Sequence, residues 1–264
     1  MSDRKKILVT GSLAYDHLFF HDGVFHDVVL PEHLHHLNVC FLIKERRMHF
    51  GGTGGNIAYN LQLLSENPVL VGVVGNDWGD YEAWFSSQNI DTQYVKIIEE
   101  KPMASAYITT DRQGNQICNF YPGAMAATPK ISISNSKNDI AIAIIAPDNT
   151  KRMMDFVNQC RHLRIPYVFD PGQNLPEISA ADLNHALQGA KALILNEYEL
   201  ELLLDKIGVT KKKLFSLIEL LIVTRGEKGS TIESADRKEE IDIAEPKHAV
   251  DPTGCGDAYR AGIL

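Results

Sequence analysis

The stretch DPTGCGD at residues 251–257 sets two carboxylates around three small residues. It runs into AYRAGIL, which can start a helix with Asp257 at or near its first turn. Gly254 and Gly256 would expose backbone N–H groups at the positive end of that helix, where phosphate charge gathers. An acid beside such an anion hole suits a general base that takes the proton of a hydroxyl as the hydroxyl attacks phosphorus. The plainer account of Asp257 is an N-cap.

A second glycine-rich stretch, GGTGGN at 51–56, opens a helix and lets backbone approach a ligand while N–H groups stay free to donate. Counted from Gly52, the third glycine of a dinucleotide fingerprint would fall on Ile57, and no G-K-[ST] follows, so neither nucleotide motif applies. Asn56 is a capping residue there or, in company, an amide that holds hydroxyls. Asp16 is the candidate company: it follows the first apolar strand, beyond whose carboxyl end ligands commonly bind, and otherwise it forms a turn. NEYE at 196–199 matches a capping box of Asn196 and Glu199. Its functional reading adds an amide and a carboxylate that hold the water shell of Mg²⁺. VTRGEKGS at 223–230 reads as strand, glycine turn and strand, with a backbone ledge for a nucleotide as the functional alternative.

These residues need a frame. KILVT, VLVGVVG (69–75), IAIAIIA (140–146), PYVFD (166–170), ALILN (192–196) and LLIVTRG (220–226) are near-continuous apolar runs, the pattern of strands covered on both faces. KILVTGSLAYD reads as such a strand running out into a polar turn. GNIAYNLQLLSEN, DNTKRMMDFVNQCRHL and NEYELELLLDKIG carry apolar stripes at helical spacing. Alternation of the two predicts an α/β fold: a mostly parallel central sheet with helices on both faces. Segments of about 17–50 and 102–121 break the pattern, and in the second ASAYITT and NQICNFY flank the turn DRQGN as a hairpin would. Together they predict a small antiparallel β lid over the main body.

Totals restrict the partners. A formal net charge of −8 over 264 residues offers no global positive field for nucleic acid or an anionic membrane, so a small molecule is expected. No apolar run is long enough to span a bilayer. Cys40, Cys118, Cys160 and Cys255 form no C-x-x-C pair, and a reducing cytoplasm fits them. His17, His21, His26, His33, His35 and His36 could build a metal-binding module, but their spacing is loop-like and no cysteine or carboxylate completes a known geometry.

FGGTGGNIAYNL and DPTGCGDAYRAG together resemble the two signatures of the ribokinase-like, or phosphofructokinase-B, family of carbohydrate and nucleoside kinases. VVGNDWGDY, NEYE and VTRGEKGS fall in the order and spacing of such a kinase, so the resemblance covers essentially residues 1–264 as one domain. AYITTDRQGNQICNFYPGAM further resembles a bacterial branch of adenosine or broad-specificity nucleoside kinases. The resemblance implies ATP with Mg²⁺, Asp257 as catalytic base, and Gly254, Cys255 and Gly256 as the anion hole. It implies that Asp16, Gly52 and Asn56 grip sugar hydroxyls and that Asn196 and Glu199 serve the Mg·ATP side. Thr224, Gly226 and Gly229 would line the nucleotide ledge, and Asp251 with Thr253 would sit near a K⁺-type cation loop. A homodimer paired through the lid is a further expectation. Cys255 stands where many relatives have alanine, and Thr53 where ribokinases proper often have lysine, which leans toward nucleosides. Relatives continue past this helix, so the C-terminal end of the family fold is expected to be missing. A sugar kinase of ribokinase or fructokinase type and a truncated, non-catalytic nucleoside-binding protein remain alternatives.

Overall fold

A computed structural model describes residues 5–29, 35–36, 38–136, 138–244 and 254–264. Nine strands form the main sheet: β1 (Lys6–Thr10), β4 (Pro68–Gly75), β5 (Asp91–Ile98), β8 (Ile140–Ile145), β9 (Tyr167–Phe169), β10 (Ala190–Asn196), β11 (Ile218–Thr224), β12 (Ser230–Glu233) and β13 (Lys238–Ile241). Their spatial order is β13-β12-β11-β10-β9-β8-β1-β4-β5, parallel from β5 to β11 and antiparallel at the β11–β12 and β12–β13 pairings.

Period-two alternation divides the apolar runs between two cores. Leu8, Val71, Val73, Ala143 and Ile145 pack beneath α3 (Thr150–Leu163), α4 (Ala180–Leu187) and α5 (Glu197–Ile207), meeting Phe156, Leu183 and Leu203. Ile7, Val9, Leu70, Val74, Ile144 and Ile194 face the opposite way, toward α1 (Thr53–Leu63), α2 (Gly79–Ser87) and α7 (Cys255–Ile263), where Ile57, Leu61, Tyr81, Phe85 and Ala261 cover them. Helices therefore lie on both faces. A one-turn helix, α6 (Lys211–Leu214), precedes β11.

The pattern-breaking segments build a second sheet of order β3-β2-β6-β7, from β2 (Ala14–His21), β3 (Ile43–Gly51), β6 (Ala104–Thr110) and β7 (Gln116–Tyr121). The β6–β7 hairpin turns at 111–115, where Asp111 accepts the N–H groups of Gln113 (2.9 Å) and Asn115 (2.8 Å). Two of the sheet's pairings are antiparallel and the central one, β2 with β6, is parallel. Against the expectation of a polar turn, β1 is followed closely by a second strand. KILVTGSLAYD does not end in a polar turn: after Gly11–Ser12–Leu13 the chain becomes extended again and enters β2, so Asp16 is a strand residue. The reason is tertiary, since β2 gains hydrogen-bonding partners on both edges.

A buried ion pair ties the lid's return strand to the body. Arg152 on α3 pairs through Nε with Asp148 at 2.7 Å, and its two terminal nitrogens reach the carbonyl oxygens of Ala127 (2.6 Å) and Met125 (3.2 Å), just beyond β7. Both side chains are at most 3% exposed. Replacing Arg152 with alanine would strand the Asp148 carboxylate and two carbonyls, so Arg152→Ala is expected to lower unfolding free energy by about 3–5 kcal/mol in urea titration.

Candidate active site

The site lies where the first turns of α1 and α7 meet beyond the carboxyl ends of the strands. α1 opens from Gly52, whose φ of +88° no branched residue adopts easily; a Cβ there would sit 2.4 Å from the Ser12 carbonyl oxygen. That close approach lets the Gly54 N–H donate to Ser12 O at 3.0 Å and seats α1 on the 11–13 turn. Asn56, in the first turn, is a helical residue and not the cap.

α7 is capped by Gly254 at φ +79°, with no side chain accepting from the turn. The Ala258 N–H closes the first helical bond onto Gly254 O at 2.9 Å. The N–H groups of Cys255, Gly256 and Asp257 thus stand outside the helical ladder, at its positive end. Asp257 is the third residue of the helix, so the N-cap account does not apply. Its carboxylate accepts a hydrogen bond from Asn56 Nδ2 at 2.8 Å. Burial lifts its proton affinity above the ordinary aspartate range, against the Asn56 bond and the Arg260 charge, while Asp170 adds to the rise.

Asp16 enters from β2, opposite His49 of β3, with its carboxylate against Gly51. Burial also raises its proton affinity; His49 opposes this and Asp257 reinforces it. Among the described residues it has no hydrogen-bond donor. Two connected cavities share Asp16, Asn56 and Gly254. The smaller, about 570 Å³, extends under the lid past Leu18, Phe20, Ile108, Thr110 and Gln116. The larger, about 760 Å³, holds Gly52 and Asp257, apolar walls at Phe120 and Met125, and the amides of Asn149, Gln173 and Asn174.

Asn196 and Glu199 form the predicted capping box: the Asn196 side chain accepts from Glu199 N, and Glu199 Oε2 accepts from Asn196 N, each at 2.8 Å. Burial raises the proton affinity of Glu199 as well. Thr224 pairs with Asn196 across β10 and β11, and its hydroxyl donates to Leu195 O at 3.5 Å. Gly226 and Gly229 shape the turn into β12, closed by Arg225 N–H to Gly229 O at 2.8 Å. These five residues line neither cavity; they lie at the adjoining strand ends. Tyr259 of α7 ties that side to the site by donating to Ser230 Oγ at 2.8 Å.

Asp251, Thr253 and His33 lie outside the described residues. The other histidines do not converge: His17 stacks on Tyr107, His21 bonds Leu42 O, His26 pairs with Asp27, and His35 contacts His36. Among the described residues no three His, Cys, Asp or Glu side chains are placed to hold a metal. Sequence reading missed Asp170 and Arg260, which pair beside Asp257. The available signal was Arg260, three residues after Asp257 and so on the same helix face.

The model of the pfkB family of carbohydrate kinases matches residues 5–264. A nucleoside kinase of Methanothermobacter thermautotrophicus is 32% identical over 272 residues, covering 100% of this chain and 83% of its own. The solved nucleoside kinase of Burkholderia thailandensis, in complex with inosine, superposes with a TM-score of 0.81 at 35% identity over 97% of this chain and 82% of its own; it has also been solved in complex with ADP-inosine. The Methanocaldococcus jannaschii nucleoside kinase, an archaeal member of the ribokinase family, gives a TM-score of 0.86 at 28% identity over 98% and 83%.

The unpartnered Asp16 carboxylate carries a stability cost. Its folded-state pKa is raised, so the cost appears as pH rises through that value and is fully present near neutrality. Asp16→Asn is therefore expected to raise Tm by about 1–3 °C at pH 8. In thermal scans the gain should shrink toward zero as pH falls into the range where the native aspartate is protonated.

Proposed function

The chain belongs to the pfkB family of carbohydrate kinases, and on that premise we propose that it transfers the γ-phosphoryl group of ATP to the 5′-hydroxyl of a nucleoside held in the larger of the two connected cavities. It is a phosphotransferase acting on a hydroxyl group. One observation carries the nucleoside assignment: the Asn56–Asp257 contact brings a proton acceptor and a hydroxyl clamp into the same 760 Å³ chamber. That chamber has apolar walls at Phe120 and Met125 that a free sugar would leave uncovered.

In this reading Asp16 and Asn56, with Gly52 backbone, hold the vicinal 2′ and 3′ hydroxyls. Asp16, lacking a donor, takes one from the sugar, and the 5′ oxygen is left directed at Asp257. Asp257 accepts its proton as the oxygen attacks phosphorus. The N–H groups at 255–257 stabilise the charge on the transferred group. Among the aromatic residues of the second sheet and its flanks, Phe120 lines the larger chamber and Phe20 and Phe50 the smaller, whereas Phe41 packs on Phe25 and Tyr121 lines neither. We assign the base to the space between Phe120 and Met125, with the amides of Asn149 and Gln173 at its edge.

The nucleotide is assigned to the shelf made by Thr224, Gly226 and Gly229, with Asn196 and Glu199 toward its phosphates. Glu199 commits one oxygen to the capping box and keeps Oε1, which fits a Mg²⁺ ion held through water. Such an ion would neutralise phosphate charge. The lid's outer face, with Met48, Tyr107 and Ile117 exposed around the His17–Tyr107 stack, suits a second copy of the chain. Tyr107→Lys is expected to shift sedimentation from dimer to monomer.

Asp257→Asn should lower kcat by about 10²–10⁴ with nucleoside binding retained. In a panel of nucleosides and sugars assayed for ADP release, 2′-deoxynucleosides should lose about 1–3 kcal/mol in kcat/KM for each unpaired partner. Equal turnover of ribo- and deoxyribonucleosides would falsify the clamp, and a preference for free ribose or fructose would overturn the nucleoside reading.

A further inference from the structure

Next to Asp257 the structure holds a buried ion pair between α7 and the segment that follows β9. Asp170, just after β9, is wholly buried, and Arg260 of α7 donates to it through Nε and, at 3.0 Å, through Nη2. Arg260 is itself only 14% exposed. Its remaining nitrogen, Nη1, passes beside Gly256: a Cβ on that glycine would lie 2.8 Å from it. The guanidinium therefore runs along the first turn of α7, on the helix face that Asp257 shares, and the second glycine of GCGD leaves the room it occupies.

We propose that Arg260, anchored on Asp170, is a positioning residue for phosphoryl transfer: it sets the first turn of α7, and with it the Asp257 carboxylate and the 255–257 N–H groups, at the geometry the reaction needs. This rests on the reading of Asp257 as base. Two features separate the role from that of a simple staple. First, the planar fork spends two nitrogens on Asp170 and keeps the third against the turn, so the turn's rotation is fixed along with its distance; a lysine point charge fixes neither. Second, Arg260 is the cation acting on three carboxylates at once, Asp257, Asp170 and Glu199. The groups within electrostatic reach of Asp257 are Asp16 from β2, Tyr81 from α2, Asp170 just after β9 and Arg260 from α7, with Asn56 from α1 as the neutral donor. Arg260 alone among them is positive.

The test compares Arg260→Met, Arg260→Lys and Asp257→Asn with the wild-type chain, measuring kcat, nucleoside KM, the pH profile of kcat and Tm. Arg260→Met is expected to lose roughly 10–100-fold in kcat with KM within threefold. The acid limb of its profile should move up by about 1 pH unit, since an opposite charge is lost beside the base. Arg260→Lys should recover the acid limb, because charge returns, and stay about tenfold down in kcat, because the fork does not. A folded Arg260→Met with wild-type kcat overturns the inference. Should Arg260→Met not fold, Arg260→Lys decides: wild-type kcat from lysine overturns it and a depressed kcat at unchanged KM supports it. Asp257→Asn keeps the two readings apart. If that variant remains active the base assignment fails; if it is inactive while Arg260 variants keep wild-type kcat, only the positioning role fails.

Discussion

An amide and a carboxylate 201 positions apart meet at 2.8 Å, Asn56 on Asp257, and most of the architecture serves that meeting. Neither group can be brought there by local preference. α1 must seat on the 11–13 turn, which requires Gly52 at positive φ, and α7 must lie on the same face of the sheet, held by Ala261 in the core, Tyr259 on β12 and Arg260 on β9. The parallel sheet supplies the reference plane. Its strands end in register, so loops after β1, β8, β9, β10 and β11 deliver their polar residues to one edge.

That edge gathers negative charge. Asp16, Asp170, Glu199 and Asp257 are each pushed toward the protonated form by burial. Water would relieve the burden on any of them, yet the lid and the two helices partly exclude it. The two apolar cores, on opposite faces of the sheet, provide the stability against which this local cost is borne. A hydroxyl donor reaching the Asp16 carboxylate would relieve part of that cost.

Much of the frame was legible in the residues because a short, continuous apolar run bounded by turn residues fits little besides a buried strand. The runs at 69–75, 140–146 and 192–196 became β4, β8 and β10 almost to the residue, and the 104–121 hairpin turned at DRQGN. Capping chemistry placed the start of α5, since Asn196 and Glu199 satisfy each other locally. β5 and β13 were not seen: DTQYVKII mixes polar and apolar residues, and KEEI has no apolar alternation, so their strand character comes from the neighbours they pair with. The same holds for β2, whose parallel pairing with β6 bridges about 90 positions of chain. Asp257, Asn56 and Asp16 stand out in the sequence through their motifs, and the fold brings the three to adjoining cavities. The Asp170–Arg260 pair was not, because a contact between a strand end and a helix 90 positions later leaves no periodic trace.

The lid's attachment has a mechanical consequence. Among the described residues its four strands join the body at one end, where Ala14 faces Gly51 and Ala104 and where Ser105 faces Tyr121. At the opposite edge stand Phe20, Thr110 and Gln116, beside the hairpin turn. The sheet is a cantilever with four tethers at its root. Any flexing leaves the root nearly still and grows along the lever arm, which from Asp16 to Phe20 is about 13 Å. The Asp16 end of the cavity wall is consequently the stiff one, and the end around Phe20 and Gln116 the compliant one: rigidity at the root, give at the tip.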